Sequence, residues 1–165
     1  MVGNQRKKVI IYTDGACLGN PGPGGWSAIL TYGAVEKVLS GGERQTTNNR
    51  MELKAIIEAF KALKEPCTVE IVSDSRYIVD AFQKSWLSQW QARGWHKADK
   101  SPVKNQDLWE ELLCLTGSHE VLFTHVRGHS GHRYNERCDK LAQDAARALE
   151  ESGEKKSDEI NGITV

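Results

Sequence analysis

The chain has 165 residues, of which 39% are hydrophobic and 27% charged, and this balance is typical of one globular domain with its own core. Its 22 basic and 22 acidic residues cancel, so net charge gives no indication of a nucleic-acid partner. The apolar runs are too short for a transmembrane helix, and the run near the N-terminus ends in Thr-Asp, which predicts a strand and no signal peptide.

Apolar periodicity and turn residues predict the element order β-β-β-α-β-α-α-α-β-α. The predicted strands are 8–16, 26–32, 36–42, 69–73 and 120–126. The predicted helices are 49–64, 76–84, a tryptophan-rich stretch to 93, 105–115 and 135–149. Residues 94–103 are expected to form an exposed loop. We expect a single domain over residues 1–149, followed by a polar, mobile tail at 150–165.

The β-α-β connections predict that the first, fourth and fifth strands pair in parallel through right-handed crossovers. The hairpin of the second and third strands adds an antiparallel edge, and helices should cover both faces of the sheet. The predicted fold class is therefore α/β with a mixed sheet. The four cysteines, at positions 17, 67, 114 and 138, form no CxxC pair, which indicates free thiols in the cytoplasm.

Four carboxylates are the most informative residues of the chain. Asp14 and Asp74 each end an apolar strand, and Glu52 and Asp139 lie in the first turns of predicted helices. If the two strands are parallel neighbours, both aspartates emerge at the edge of the sheet where α/β folds place their sites. Crowded carboxylates repel one another, and hard cations such as Mg²⁺ or Mn²⁺ relieve that repulsion.

Each acid also has a local alternative explanation. Glu52 could be the capping partner of Asn49, Asp74 could cap the following helix, and Asp139 could interact favourably with a helix dipole. Asp14 precedes a glycine, as in a tight hairpin, although no strand begins two residues later. The coincidence of all four positions favours a metal site.

Three further patterns indicate a nucleic-acid substrate. His129 and His132 lie in a glycine-containing segment after the last strand, where a histidine beside a metal–carboxylate site can transfer protons. Four of the five tryptophans fall within residues 86–109 and are interleaved with lysine and arginine, as in a groove that follows a phosphate backbone. The polar residues 46–49 precede a helix N-terminus, which suits a phosphate.

Five segments in order resemble bacterial ribonuclease H type 1: YTDGACLGNPGPGGW, TTNNRMEL, SDSRYI, GWHKADKSPVKNQDLW and GHSGHRYNERCDKLA. The resemblance implies the ribonuclease H-like fold, a five-stranded mixed sheet flanked by helices on both faces. It also implies an endoribonuclease that hydrolyses the RNA strand of RNA–DNA hybrids, leaving 5′-phosphate and 3′-hydroxyl ends. Two Mg²⁺ or Mn²⁺ ions would act in the substrate-bound site of a monomeric, cytoplasmic enzyme without membrane contact.

The resemblance also assigns roles to residues. It implies that Asp14, Glu52, Asp74 and Asp139 are the metal-binding catalytic acids, and that His129 assists proton movement or product release. The implied substrate contacts lie in the glycine-rich loop, at the first helix N-terminus and on the basic protrusion at 90–104. These contacts are Cys17, Asn20, Thr47, Asn48, Asn49, Arg76, Trp86, Trp90, Arg93, Lys97, Lys100 and Trp109.

Two departures from the family pattern concern the substrate surface. Arg76 replaces a common glutamine, which is expected to alter minor-groove contacts, and Gln91 and Ala92 replace a common lysine pair, which is expected to weaken hybrid affinity. Two alternatives remain open: a catalytically silent hybrid-binding module, and a related metal-dependent nuclease or strand-transfer enzyme that acts on DNA. The intact acids argue against the first, and the protrusion and TTNNRMEL segment argue against the second.

Overall fold

A five-stranded mixed sheet forms the centre of the protein. The computed structural model describes residues 5–127 and 132–163, with side chains to residue 152. The strands are β1 Lys7–Cys17, β2 Gly22–Tyr32, β3 Val35–Thr46, β4 Cys67–Ser73 and β5 Glu120–His125. The helices are α1 Asn48–Lys61, α2 Arg76–Gln83, α3 Trp86–Ala92, α4 Gln106–Thr116 and α5 Arg133–Ile163.

The sheet has the strand order β3-β2-β1-β4-β5. β1 and β4 pair in parallel, as do β4 and β5, whereas β2 is antiparallel to both β1 and β3. This arrangement confirms the predicted element order, the parallel pairing of the first, fourth and fifth strands, and the antiparallel hairpin edge. The parallel register places the C-terminal ends of β1 and β4 side by side.

Helices cover both faces of the sheet, as two neighbouring glycines of β2 show. A Cβ atom at Gly24 would meet the side chain of Met51 in α1, whereas one at Gly25 would overlap the backbone of α5 at Ala142. Because successive strand residues point to opposite faces, α1 and α5 lie on opposite faces of the sheet. The contacts also show how closely both helices approach β2.

The core lies between the sheet and α1. The apolar stripe of α1 includes Leu53, Ile56 and Phe60, all of which are buried, and it packs against the inward residues of the central strands, such as Ile11 and Ile71. Burial of each such side chain contributes about 1.5–3 kcal/mol. This core fixes α1 against the strands whose ends carry the predicted acids.

The two ends of α5 differ from the sequence-based expectation. The helix begins at Arg133 rather than at residue 135, and its backbone stays helical to Ile163, through most of the segment expected to be a mobile tail. The domain boundary at residue 149 and the mobility of the tail remain predictions. Within the described ranges, no helix combines the length and apolarity needed to cross a membrane.

Candidate active site and nucleic-acid surface

Three of the four predicted acids lie together where the central strands end. Asp14 lies near the C-terminal end of strand β1, Asp74 follows β4 directly, and Glu52 belongs to α1. Each offers a carboxylate oxygen, and these oxygens lie within 4.8 Å of one another. Asp14 and Glu52 are buried, whereas Asp74 is half-buried. The parallel β1–β4 pairing thus produces the predicted convergence of the two aspartates at one edge of the sheet.

A close backbone contact brings Glu52 to Asp14. A Cβ atom at Gly15 would overlap the backbone of Met51 and Glu52, so only glycine allows α1 to approach β1 this closely. The N-cap of α1 is Thr47, whose hydroxyl accepts a hydrogen bond from the Arg50 N–H at 3.3 Å. The alternative in which Glu52 pairs with Asn49 in a helix cap is therefore wrong.

Asp74 is likewise not the side-chain cap of α2. Ser75 is the N-cap residue, and its hydroxyl accepts a hydrogen bond from the Ile78 N–H at 3.4 Å. The Ser75 N–H in turn donates to the Ser73 hydroxyl at 3.0 Å. These serines define the turn between β4 and α2, and the Asp74 carboxylate joins the acidic group instead.

The three acids strongly affect one another's ionisation. Burial, followed by repulsion from Asp74, raises the pKa of Asp14 to about 7. Burial, followed by repulsion from Asp14 and Asp74, raises the pKa of Glu52 well above its ordinary value. The hydrogen-bonding interaction between the Asp14 and Glu52 side chains lowers the pKa of Asp14 and raises that of Glu52. Such mutual repulsion is what a bound divalent cation removes.

One oxygen of Glu52 provides a direct test of the fit to a metal. Glu52 Oε2 is buried and has no hydrogen-bond partner among the described residues. A buried carboxylate oxygen without a donor is costly, and coordination to a cation would satisfy it. The set of closely spaced carboxylate oxygens is the chemistry that Mg²⁺ and Mn²⁺ prefer.

Asp139 belongs to α5, on the face of the sheet opposite to α1, and approaches the same acidic centre from that side. It lies outside the group of oxygens within 4.8 Å, yet its charge contributes to the raised pKa of Asp14. The Gln143 amide, one helical turn further along α5, donates to both Asp139 oxygens at 3.2 Å. The carboxylate is therefore held in a fixed orientation on a helix separate from the other three acids.

His129 lies outside the described residues. The neighbouring His132 is described, and its ring centroid lies 5.5 Å from that of Tyr12 in β1. Tyr134 at the start of α5 stacks on the same Tyr12 ring at 4.4 Å. His132 and Tyr134 therefore lie beside Tyr12 of β1, two residues before Asp14.

The predicted polar contacts come together beside the α1 N-terminus. The Asn20 side-chain oxygen accepts a hydrogen bond from the Asn48 N–H at 3.0 Å, which joins the glycine-rich loop to the helix. The Cys17 thiol contacts the Thr46 carbonyl at 3.3 Å. An open pocket there is lined by Asn20, Thr47, Asn48, Asn49, Lys104 and Asn105. Helix N-terminal N–H groups and a nearby lysine suit an anionic ligand.

A second pocket borders the first through Asn49 and Lys104, and it is also lined by Tyr77, Trp90, Lys97 and Val103. Sequence reasoning did not assign Tyr77 or Asn105 to the site, although both lie in the segments that carry the family resemblance. Asn105 adopts a left-handed backbone conformation at φ 64° directly before α4. Residue spacing in the sequence does not predict this conformation.

Trp109 does not line a channel, contrary to the expectation. Its side chain is 0% exposed, so it offers no surface to a base or phosphate. Its indole N–H donates to the Tyr77 hydroxyl at 3.3 Å, and its ring packs edge-on to Trp90 at 5.6 Å. Trp109 therefore supports the second pocket from beneath, whereas Trp86 is half-buried and lies 6.0 Å from the Lys84 ammonium.

The basic protrusion is a compact loop that presents its cations to solvent. Arg93, Lys97 and Lys100 are exposed, and the Lys100 N–H donates to the Lys97 carbonyl at 2.9 Å. Asp99, the acid within this loop, is turned towards Ser101, whose N–H donates to it at 2.9 Å. Arg76 is also exposed, with a long 4.0 Å ion pair to Asp80.

A family profile, related sequences and solved structures all relate this chain to RNase H. The profile of the RNase H family matches residues 6–147. Ribonuclease H of Thermus thermophilus is 58% identical over 143 residues, which covers 87% of this chain and 86% of the relative. The crystal structure of LC9-RNase H1, a type 1 RNase H with the type 2 active-site motif, superposes with a TM-score of 0.78 at 37% identity, covering 87% of this chain and 74% of the other.

A further solved structure contains a nucleic acid. LC11-RNase H1 in complex with an RNA/DNA hybrid superposes with a TM-score of 0.66 at 25% identity, covering 85% of this chain and 97% of that one. The mixed sheet and the acidic cluster at its edge define a metal-dependent nuclease. The chain belongs to the ribonuclease H family, which confirms both the resemblance and the predicted ribonuclease H-like fold.

Proposed function

We propose that this chain is an endoribonuclease that hydrolyses the RNA strand of RNA–DNA hybrids and leaves 5′-phosphate and 3′-hydroxyl ends. The observation that carries the proposal is the convergence of Asp14, Glu52 and Asp74 within 4.8 Å beside a surface of amides and cations. Family membership and the hybrid-bound relative LC11-RNase H1 support it. We further propose that the enzyme acts as a monomer in the cytoplasm, where its described free cysteines would stay reduced.

Two Mg²⁺ or Mn²⁺ ions would be held by Asp14, Glu52, Asp74 and Asp139. Asp14 would be the central member of this ligand set, because the other three acids all affect its pKa. Ions bound there would supply Lewis-acid chemistry, which is activation of a water molecule and stabilisation of the charge that develops on the leaving 3′-oxygen. The protein contributes rigidity, because α1 packs directly on Gly15 and the Gln143 amide orients the Asp139 carboxylate.

His129 would move a proton during the reaction or help the product to leave. His132 and Tyr134, which follow His129 in the sequence, pack against Tyr12, two residues before Asp14 on β1. An imidazole near neutral pH can both accept and release a proton. This role rests on the sequence and on the position of the neighbouring residues.

The surface around the first pocket, beside the α1 N-terminus, would contact both strands of the hybrid. Cys17, Asn20, Asn48 and Asn49 would face the RNA strand, where 2′-hydroxyls distinguish RNA from DNA. Thr47, with the α1 N-terminus, would hold a DNA-strand phosphate.

The rest of the contact surface would follow the DNA backbone. Trp86 and Trp90 would contact the DNA strand, Arg93, Lys97 and Lys100 would hold its phosphates, and Arg76 would lie near the minor groove. Trp109 would contribute only as the buried support of Trp90 and Tyr77.

End-labelled duplexes of one sequence test the proposal: RNA–DNA, DNA–DNA, RNA–RNA, and DNA that contains one ribonucleotide. Each is incubated with Mg²⁺, with Mn²⁺ and with a chelator. We expect cleavage of the RNA in the hybrid only with a divalent ion, and poor cleavage of the single-ribonucleotide duplex. Efficient cleavage of the DNA duplex, or equal cleavage of duplex RNA and hybrid, would contradict the proposed substrate.

A further inference from the structure

A buried serine on β2 connects the strand pair that carries Asp14 to helix α5. Ser27 is 0% exposed and pairs directly with Asp14 across the β1–β2 ladder. Its hydroxyl donates a 2.6 Å hydrogen bond to the carbonyl of Cys138, the residue that precedes Asp139 in α5. One side chain therefore joins the strand neighbour of Asp14 to the helix that carries Asp139.

A second hydrogen bond reinforces the first. The Cys138 thiol donates to the Tyr12 carbonyl at 3.3 Å, on β1 two residues before Asp14. Cys138 is thus attached both to β1 and, through Ser27, to β2.

Close packing fixes the position of α5 along its axis. A Cβ atom at Gly25 would overlap the α5 backbone at Ala142, so strand and helix are in direct backbone contact there. Gly25 and Ser27 lie on one face of β2 about 7 Å apart, and Cys138 and Ala142 lie one helical turn, about 6 Å, apart. Because the spacing of Gly25 and Ser27 on β2 matches that of Ala142 and Cys138 on α5, the helix cannot slide along the strand without losing both contacts.

We propose that Ser27 is a positioning residue for the metal centre, and that its hydroxyl fixes the separation between Asp14 on β1 and Asp139 on α5. The inference rests on the proposed function, in which Asp139 is a metal ligand. Asp139 is outside the compact group of three acids, so packing of α5 must hold it at its working distance. Gln143 orients the Asp139 carboxylate, whereas Ser27 orients the helix that bears it. Residues that hold metal ligands in this way commonly affect metal affinity about 10- to 100-fold.

The test compares metal binding in three variants. Mn²⁺ binding to the substrate-free protein is measured by calorimetry, and hybrid cleavage is measured as a function of Mg²⁺ concentration. Ser27→Ala should weaken Mn²⁺ binding about tenfold and raise the half-saturating Mg²⁺ concentration similarly. Ser27→Thr retains the hydroxyl donor and should recover most of that affinity.

Thr31→Val is the matched control. Thr31 is also buried on β2, and its hydroxyl donates to the Ile10 carbonyl at 2.9 Å, far along the strand from the acids. Thr31→Val should lower the free energy of unfolding in urea as Ser27→Ala does, yet leave metal binding unchanged. A double variant adds a sharper test: with Asp139→Asn already present, Ser27→Ala should not weaken Mn²⁺ binding further.

The outcomes separate the two proposals. Loss of stability in Ser27→Ala with wild-type metal affinity and wild-type metal dependence of cleavage would reduce Ser27 to a structural residue and overturn the inference. A wild-type protein that binds no Mn²⁺ and cuts no hybrid would instead refute the proposed function. If circular dichroism shows that the Ser27→Ala variant is unfolded, the Ser27→Cys variant is used in its place. Its longer bond to the Cys138 carbonyl should still weaken metal binding relative to Ser27→Thr, and equal affinities would overturn the inference.

Discussion

Replacing Asp14 by asparagine should abolish cleavage and, at the same time, stabilise the metal-free protein. Burial and repulsion from Asp74 raise the pKa of Asp14 from 3.8 to about 7. A carboxyl whose pKa is raised by folding stabilises the fold when it is protonated, and that contribution is lost as the pH rises from the unfolded pKa to the folded pKa. The Asp14→Asn variant has no charge to bury, so it escapes this loss.

The size of the effect follows from the same pKa values. At about 1.4 kcal/mol for each tenfold change in proton affinity, the displacement from 3.8 to about 7 corresponds to about 4 kcal/mol. The variant also loses the hydrogen bond that Glu52 makes to an ionised Asp14. We therefore expect a net gain of about 2 kcal/mol above pH 7, with the difference vanishing near pH 4.

Urea unfolding from pH 4 to pH 8.5 in the presence of a chelator measures this difference. The control is Asp144→Asn, because Asp144 is an exposed aspartate of α5 with only a 4.0 Å ion pair to Arg147. Added Mg²⁺ should then stabilise the wild type more than Asp14→Asn, since only the folded wild type binds it well. Parallel pH curves for wild type and Asp14→Asn, or near wild-type Mg²⁺-dependent cleavage by the variant, would refute the reasoning.

Three further predictions concern other parts of the molecule. His129→Ala should reduce turnover about 10- to 1000-fold with little change in hybrid affinity, as measured by steady-state kinetics at neutral pH, and unchanged turnover would make it an ordinary loop residue. Replacing Arg93, Lys97 and Lys100 together by glutamine should weaken hybrid binding and flatten the plot of log affinity against log salt by about one for each lost phosphate contact; an unaltered slope would show that the protrusion does not touch the substrate. Ser85 has a left-handed backbone at φ 60°, and its side chain makes no capping hydrogen bond. Ser85→Gly should therefore raise the free energy of unfolding in urea by about 0.5–1 kcal/mol and leave cleavage unaffected. A lower free energy of unfolding would show that the backbone at residue 85 is not strained.

The sequence predicts the acidic edge of the sheet because the patterns that indicate it lie within short stretches of the chain. Asp14 and Asp74 follow strands whose alternating apolar residues are recognisable on their own, and the parallel pairing of β1 and β4 follows from the βαβ connection. Periodicity also places Glu52 in the first turns of α1, but its assignment to the acidic centre came from the coincidence of all four acids and from the family resemblance.

Contacts between distant parts of the chain account for what the sequence did not predict. Trp109 occurs among cations and resembles a surface aromatic, but α4 turns its ring into the core, where it meets Tyr77 and Trp90. The start of α5 is extended by Tyr134, which stacks on Tyr12. Ser27 looks like an ordinary polar residue in an apolar strand, because its partner carbonyl lies 111 residues away in sequence.

The division of the acidic centre among separate elements has a consequence for folding kinetics. Asp14 belongs to β1, Glu52 belongs to α1, and Asp74 directly follows β4, so no single secondary-structure element contains the centre by itself. Long-range strand pairing is slow to form, because loop closure precedes the contacts that compensate for it. Cation binding should therefore appear late in refolding, with the final docking of the central strands and α1. A fluorescent or paramagnetic divalent ion would then report the completion of folding, while circular dichroism follows the earlier formation of helices.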